Sequence, residues 1–548
     1  MEYHCLRFHE IPQTTKLFSS FVDDFPGVKE FYAHQPDEAG VRAAAKQIRL
    51  DAAVRKSVVE VLREQNHSLG SDGATENNID RLANGAAAIV TGQQVGLFSG
   101  PAYSIYKALD AIHWAEKLTK SGIEAVPVFW MATEDHDLAE VNQVFFSGRE
   151  QIARVELPLP DDAAGASVGR IPLGNMAGAA VEHAIESLDG PGLPTIGEAL
   201  RASYRDGETF GSAFGKLIAQ LMKGRGLVLL DPLHTRFHEL ARPIYRKAVE
   251  ESQSLFEELA ARDKILDKRG FHAQVKITRE STLLFLDVNG KRQPLRRRNG
   301  AFIAGDVKLS AAELLARIEK EPQVFTPSVL LRPVLQDSLL PTAAYIGGPS
   351  EVAYMAQAQV VYRRVLGRMP AILPRASFTL IEPTVARAMK KYSLDFRDAL
   401  RGRQTVRRKM ELNSLSRGLA AKFSRDEKGL KRILGSYRAP LGRLDKSLPA
   451  ALDTVERKIL YQFEKLRGKA GRAENFRTGV LDRHEREILG ALFPHHGLQE
   501  RTLCLLPFLA RQGMELLDRL LSAMSREDSG QESSETDEPC LGHRIVML

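Results

Sequence analysis

Thr91-Gly-Gln-Gln-Val-Gly-Leu-Phe-Ser-Gly-Pro-Ala-Tyr-Ser-Ile-Tyr-Lys107 is the stretch whose reading decides the fold. The apolar run Ala86–Val90 leads into it, and a helical pattern from about Pro101 to Leu118 leads out. This spacing predicts a strand, a Gly-rich loop and a helix, with Pro101 in the first helical turn. Such a junction presents free backbone N–H groups and the positive end of a helix dipole to an anion. Gly92 and Gly96 let a ligand approach the backbone closely. An ordinary Gly-rich turn would carry the same residues. The loop has neither the Gly-x4-Gly-Lys-Ser/Thr of a P-loop nor the spacing of the dinucleotide fingerprint. Gln93 and Gln94 each add an amide donor and acceptor, suited to a polar uncharged group as well as to a phosphate.

Further along, Ala125–Met131 reads as a second buried strand, and strand–helix–strand over about 45 residues is the spacing of a parallel βαβ unit. Gly226–Asp231 and Ala343–Glu351 are two more strand ends, followed by helical patterns from Leu233 to about Leu259 and through about Leu366. The expected class is α/β: a Rossmann-like doubly wound parallel sheet, which takes ligands at the carboxyl ends of its strands. Two stretches between these units read as insertions, at about 147–200 and 274–330. The second carries β patterns and a basic turn, Arg296–Arg298. The core is expected over 1–380, a helical coiled-coil arm over 381–480, and a helical segment over 481–548 with an acidic linker at 525–539.

Composition narrows the class. The 548 residues are 43% hydrophobic and 26% charged, as in a soluble globular protein. Met1–Glu10 lacks the basic and apolar regions of a signal peptide, and no apolar run approaches the roughly 20 residues that span a bilayer. Cys5, Cys504 and Cys540 are scattered, form neither a disulfide framework nor a zinc ribbon, and point to a reducing cytoplasm. The net charge of +7 is segregated: residues 381–480 hold 25 Lys+Arg against 11 Asp+Glu, so the rest of the chain is net acidic. Confined to one helical segment, the excess reads as a solvated helix face rather than a nucleic-acid surface. Within it Leu441, Leu444, Leu448, Leu452, Val455, Ile459, Phe463 and Leu466 recur at steps of three or four, close to a coiled-coil seam. Pro449 should kink that helix or start a new one. The pattern predicts a projecting hairpin whose apolar edge pairs with a second copy; the alternative is packing back on the main body.

Two further clusters bear chemistry. Glu134-Asp135-His136-Asp137 ends the second strand. Beside the Gln93 loop it would hold an ammonium group, act as a base, or bind a divalent ion. His-Glu-x-x-His is absent, and adjacent side chains on an extended segment face opposite ways, so no metal is predicted. A helix N-terminus would use the same carboxylates. The other cluster runs from Arg332 through Gln336, Asp337 and Tyr345 to Gly347-Gly348-Pro349-Ser350-Glu351, again a strand-to-helix turn with free N–H groups. Arg332 and Asp337 either pair with each other or face a carboxylate and an amine.

Three motifs in order carry a resemblance: Thr91-Gly-Gln-Gln-x-Gly-Leu-Phe-x-Gly-Pro-x-Tyr-x-x-x-Lys107, Pro127-Val-Phe-Trp-x-Ala-x-Glu-Asp-His-Asp137 and Gln336-Asp-x-Leu-Leu-Pro-Thr-x-Ala-Tyr-Ile-Gly-Gly-Pro-x-Glu351. With Leu492-Phe-Pro-x-x-Gly-x-Gln-Glu-Arg501 and the closing His543–Leu548, the chain resembles the bacillithiol-biosynthesis cysteine-adding enzymes, the BshC family of cysteine ligases. The resemblance implies a Rossmann-like core distantly related to class I aminoacyl-tRNA synthetases, with inserted connecting segments and a dimerising coiled-coil arm. It implies the last step of bacillithiol synthesis, in which the cysteine carboxyl is joined to the amine of glucosaminyl-malate. The His-x-Gly-His and Lys-Met-Ser-Lys-Ser signatures of class I synthetases are absent, so adenylate chemistry does not transfer by motif.

Amide formation needs an activated carboxyl, for which ATP is the expected co-substrate, and a base for the amine. Glu134, His136, Asp137 and Gln94 are the catalytic candidates. Gln93, Tyr103, Lys107, Arg332, Asp337, Tyr345 and Glu351 are the substrate-binding candidates, with Arg332 or Lys107 suited to the malate carboxylates. Backbone at Gly92, Gly96, Gly347 and Gly348 is the candidate nucleotide or anion cradle. Two other classes fit the pattern: a nucleotide-binding coiled-coil interaction module, and a synthetase-like enzyme acting on tRNA.

Overall fold

A computed structural model describes residues 3–148, 151–160, 163–476, 479–525 and 542–548. Its centre is a five-stranded sheet of β1 (Ala87–Gln93), β2 (Ala125–Met131), β3 (Val228–Leu230), β4 (Thr342–Gly347) and β5 (Ala371–Pro374). All pairings are parallel and the spatial order is β5-β4-β1-β2-β3. The strands read as unbroken apolar runs because both faces are covered. Ala88, Val90, Val126 and Val128 face one core cluster. Ala87, Ile89 and Ala125 face another, with Ala111, Ala115 and Leu118 of helix α1 (Tyr103–Lys120). The strand order reverses between β1 and β4. A doubly wound sheet opens its ligand crevice at that point, and Thr91 Oγ1 ties the two strands there by donating to the Ile346 carbonyl at 2.9 Å.

Helix α2 (Thr235–Glu250) follows β3, α3 (Arg332–Leu339) precedes β4, and α4 (Pro349–Val365) follows it. The first insertion is a hairpin, Gln143–Ser147 with Ile152–Glu156, and two helices, Ala177–Glu186 and Leu193–Ser203. The second centres on an antiparallel sheet that includes Ser281–Val288, Lys291–Arg298, Ala301–Ala304 and Phe325–Pro327. Arg296–Arg298 end a strand there, which corrects their reading as a turn. Asn299 and Gly300 make the turn, both with positive φ, as a tight hairpin requires. A third sheet places His543–Met547 between Tyr3–Leu6, antiparallel, and Ser377–Ile381, parallel.

The arm is a helical hairpin of α5 (Arg417–Ser436) and α6 (Leu448–Phe476), linked through Arg438–Leu444. Pro449 sits in the first turn of α6, where its missing N–H costs nothing, so it starts a helix rather than kinking one. The apolar stripe divides. Leu452 is buried, and Phe463 meets Phe423 of α5 at 5.2 Å between ring centres. Leu444, Val455 and Leu466 stay 78%, 46% and 55% exposed. Val455 and Leu466, 11 residues or three turns apart on α6, form one outer line, whereas Leu444 ends the preceding Arg438–Leu444 helix. Apart from Ser525, the acidic linker lies outside the described residues. Cys504 is a buried free thiol, whereas Cys5 is disulfide-bonded, contrary to the expectation of three unpaired cysteines. Among the described residues no helix is long and apolar enough to cross a membrane.

Candidate active site

A cavity of about 530 Å³ opens at the carboxyl ends of β1, β2, β4 and β5. Gly92 shows why its floor is narrow. A Cβ there would meet the Trp130 carbonyl at 3.2 Å and the Tyr345 hydroxyl at 3.6 Å.

One corner is a closed ionic network. Lys107 projects from α1 and is 2% exposed. Its ammonium donates to the Gly92 carbonyl at 2.7 Å and to Gln93 Oε1 at 2.9 Å, and pairs with Glu351. Glu351 also accepts from the Tyr345 hydroxyl at 2.5 Å and from the Gly348 N–H at 2.7 Å. The latter bond satisfies one of the free N–H groups at the start of α4. Burial raises the Glu351 pKa, but Lys107 and these donors outweigh it and hold the carboxyl below its usual range. Because Lys107 holds the Gln93 oxygen, the Gln93 NH₂ points toward the Tyr103 hydroxyl, 3.4 Å away.

The opposite corner is cationic and open. Arg332, at the first position of α3, donates to Gln336 at 2.9 Å and to the hydroxyls of Tyr345 and Tyr354 at 3.2 and 3.3 Å. Its guanidinium stands over the rings of Tyr345 and Trp130, at 5.4 and 5.9 Å. Arg292 reaches in from the antiparallel sheet. It donates to Thr326 Oγ1 at 2.8 Å and to the Pro327 carbonyl at 2.7 Å, and lies 3.8 Å from the centre of the Phe285 ring. Among the described residues neither arginine has a carboxylate within ion-pair distance.

Glu134 lies between these corners. It is 5% exposed, lines the cavity, and among the described residues its carboxyl has no hydrogen-bond or ion-pair partner. Burial pushes its pKa up to about 7, against the pull of Arg292, Arg332 and Arg170. Asp135 beside it accepts from Gln94 Nε2 at 2.7 Å.

The structure thus brings together Gly92, Gln93, Gln94, Tyr103, Lys107, Glu134, Arg332, Tyr345, Gly348 and Glu351 on one cavity wall or another. Five expected residues lie elsewhere. His136 faces out, with Nδ1 3.1 Å from an Arg292 nitrogen. Asp137 is exposed ahead of the short helix Leu138–Val141, because the chain turns away after Asp135. Asp337 is buried beneath the site, bonded to Gln336 and Tyr362, and makes no ion pair with Arg332. Gly96 lines a neighbouring side cavity instead. Gly347 closes β4 without lining the cavity; a Cβ on it would meet Glu351 Cβ at 3.1 Å. Arg292, Tyr354, Arg375 and Arg501 also line the site and were not among the expected residues. The Leu492–Arg501 motif was the signal that could have led to Arg501.

Two family models account for nearly the whole chain. Residues 1–376 match the N-terminal Rossmann-like domain of bacillithiol biosynthesis BshC, and residues 378–532 match its C-terminal coiled-coil domain. The chain belongs to the BshC family. Similar proteins include one from Koribacter versatilis, 40% identical over 99% of both chains, and one from Solibacter usitatus, 35% identical over the full length of both. A more distant one from Bacillus cytotoxicus is 26% identical over 88% of this chain and 91% of its own. All three bear the name "Putative cysteine ligase BshC". Family membership makes the chain an enzyme of the ligase type, with a Rossmann-like core and a coiled-coil arm.

Proposed function

We propose that this cavity joins the carboxyl of cysteine to the amine of glucosaminyl-malate, the last step of bacillithiol synthesis. The observation that carries the reading is Glu134: a buried carboxyl without a partner among the described residues, with its pKa pushed up to about 7, at the end of the strand beside the Gln93 loop. A base of that kind takes the proton that the ammonium must lose before its nitrogen attacks a carbonyl. His136 and Asp137 lie outside the cavity, so the role falls to Glu134. Lys107 is committed to Glu351. Arg375 is committed to Glu500; of the remaining cavity arginines, Arg332 and Arg292 are the two whose charge acts on Glu134, and they suit the two malate carboxylates. The Gln93 NH₂ is held where it can donate to a carbonyl oxygen that gains charge.

ATP, when bound, supplies the activation that a free carboxylate lacks. The cytoplasm, where ATP and free cysteine are held, is the setting this reading requires. The same reading includes a homodimer through the outer line of the arm. The test is incubation of the purified full-length chain with cysteine, glucosaminyl-malate and ATP, read by mass spectrometry. A product at the summed substrate mass less one water supports it. No amide with any nucleotide overturns it.

A further inference from the structure

A second cavity, of about 370 Å³, adjoins the first across Gln93, Gln94 and Tyr103. Its volume is within the range of roughly 300–1,000 Å³ that holds small ligands. Its wall includes Pro101 and Ser104, so it opens on the N-terminus of α1, an 18-residue helix. Among the described residues the Tyr103 N–H donates to nothing. The approach to this helix is strained. Phe98, Ser99 and Gly100 all have positive φ, a cost of order 1–3 kcal/mol for each such non-glycine residue. Ser104 supplies an independent observation. It is 1% exposed, lines this cavity, and among the described residues its hydroxyl has no hydrogen-bond partner. A buried hydroxyl without a partner is rare, because leaving it unsatisfied costs about 1–3 kcal/mol.

The motif that the reaction does not use ends here. Gln499 is pinned to the backbone of Leu380 at 2.9 and 2.8 Å. Glu500 is fully buried and accepts from the Phe378 N–H, from Ser377 and from Arg375. These two anchors present Arg501 where the cavities meet, and it lines both. Among the described residues its guanidinium makes no hydrogen bond or ion pair. The other charged or titratable side chains on the wall of this cavity are Tyr103, Glu140 and His495.

We propose that this side cavity is a subsite for the phosphate groups of an anionic co-substrate, held by the α1 N-terminus, the Ser104 hydroxyl and Arg501. A phosphate supplies the acceptor oxygens that all three lack. Its position next to the Gln93–Tyr103 wall sets a polyphosphate beside the reacting carboxyl. The inference rests on the reading that a nucleotide activates cysteine, and it assigns the place of that nucleotide's phosphates.

The experiment is calorimetric titration of the full-length chain with inorganic pyrophosphate, with ATP and with glucosaminyl-malate. The expected result is saturable pyrophosphate binding that weakens roughly 10-fold or more in Arg501→Gln and on the order of 5-fold in Ser104→Ala. Glu140→Gln, which removes a like charge, binds a few-fold more tightly. Glucosaminyl-malate affinity stays unchanged in Ser104→Ala, since Ser104 does not line the main cavity. Arg501 is exposed, so its variant keeps the fold even where Ser104→Ala does not. No saturable pyrophosphate binding, or equal binding by wild type and Arg501→Gln, overturns the proposal. If amide still forms with ATP in that case, the ligase reading stands without this subsite. If pyrophosphate binds as described and no amide forms with any nucleotide, the subsite stands and the ligase reading falls.

Discussion

Two carboxyls on one rim, the partly buried Glu351 and the buried Glu134, have opposite surroundings. Glu351 is held by an ammonium, a phenol and a backbone N–H. Glu134 has none of these among the described residues. Burial raises the pKa of both; at Glu351 the bonded partners outweigh it, whereas at Glu134 burial prevails. The lesson is that depth does not mark a reactive acid. A carboxyl whose partners are all in place is structural, and one deprived of them at a cavity wall is left for substrate.

The largest expected effect is at the closed corner. Lys107→Met leaves the partly buried Glu351 carboxylate without its ammonium and should cost about 3 kcal/mol in denaturant unfolding. A loss under about 1 kcal/mol would erase the contrast between the corners. Glu134→Gln should lower the rate roughly 100-fold or more, with glucosaminyl-malate binding kept. An unchanged single-turnover rate removes Glu134 from the mechanism.

The same substitution sharpens the contrast through pH. The folded pKa of Glu134, about 7, lies above the ordinary carboxyl value of 4.5. Between these values the unfolded chain has lost a proton that the folded chain keeps. Wild-type stability therefore falls as pH rises from about 4.5 through 7 and then levels off. Glu134→Gln lacks this loss and should be the more stable protein at pH 8, by on the order of 3 kcal/mol. The wild-type rate should rise over the same interval as the base ionises. Parallel pH–stability curves for the two proteins would refute the assignment.

On the arm, Val455→Glu with Leu466→Glu should convert a dimer to monomers in sedimentation without unfolding the hairpin, since both side chains are exposed. A wild-type monomer at micromolar concentration ends that reading. The smallest effect is at Asp137. Asp137→Asn should change the rate by no more than about twofold, as for other surface positions.

Much of the site was legible because strand ends announce themselves. Apolar runs that stop at Gln93, before Glu134 and at Gly347 place those residues on one rim by the rules of parallel sheets alone. The alternatives at Arg332 and Asp337 could not be separated, because a spacing of five residues does not decide between a pair and two separate roles. Asp137 and His136 misled for a local reason: the chain leaves the sheet direction after Asp135, and no residue type signals that turn. Arg501 was signalled by the Leu492–Arg501 motif, but Arg292 and Arg375 were out of reach for a different reason. Each arrives from an element far along the chain, through contacts that no periodicity encodes. The arm's stripe was visible, but not its division into inner Leu452 and Phe463 and outer Val455 and Leu466, which depends on where α5 lies.

The strand His543–Met547 has a consequence in the order of synthesis. Tyr3–Leu6 is synthesised long before that strand and, among the described residues, pairs with it alone. At about 5–20 residues per second, it waits roughly half a minute to two minutes for its neighbour. Through that interval an unsatisfied row of N–H and C=O groups is open to other chains. The sheet that anchors Glu500, and through it Arg375 at the cavity wall, is therefore among the last parts of the molecule to close. A growing chain carries its motifs long before it carries a finished site, and it depends on shielding at its first few residues until the last strand arrives.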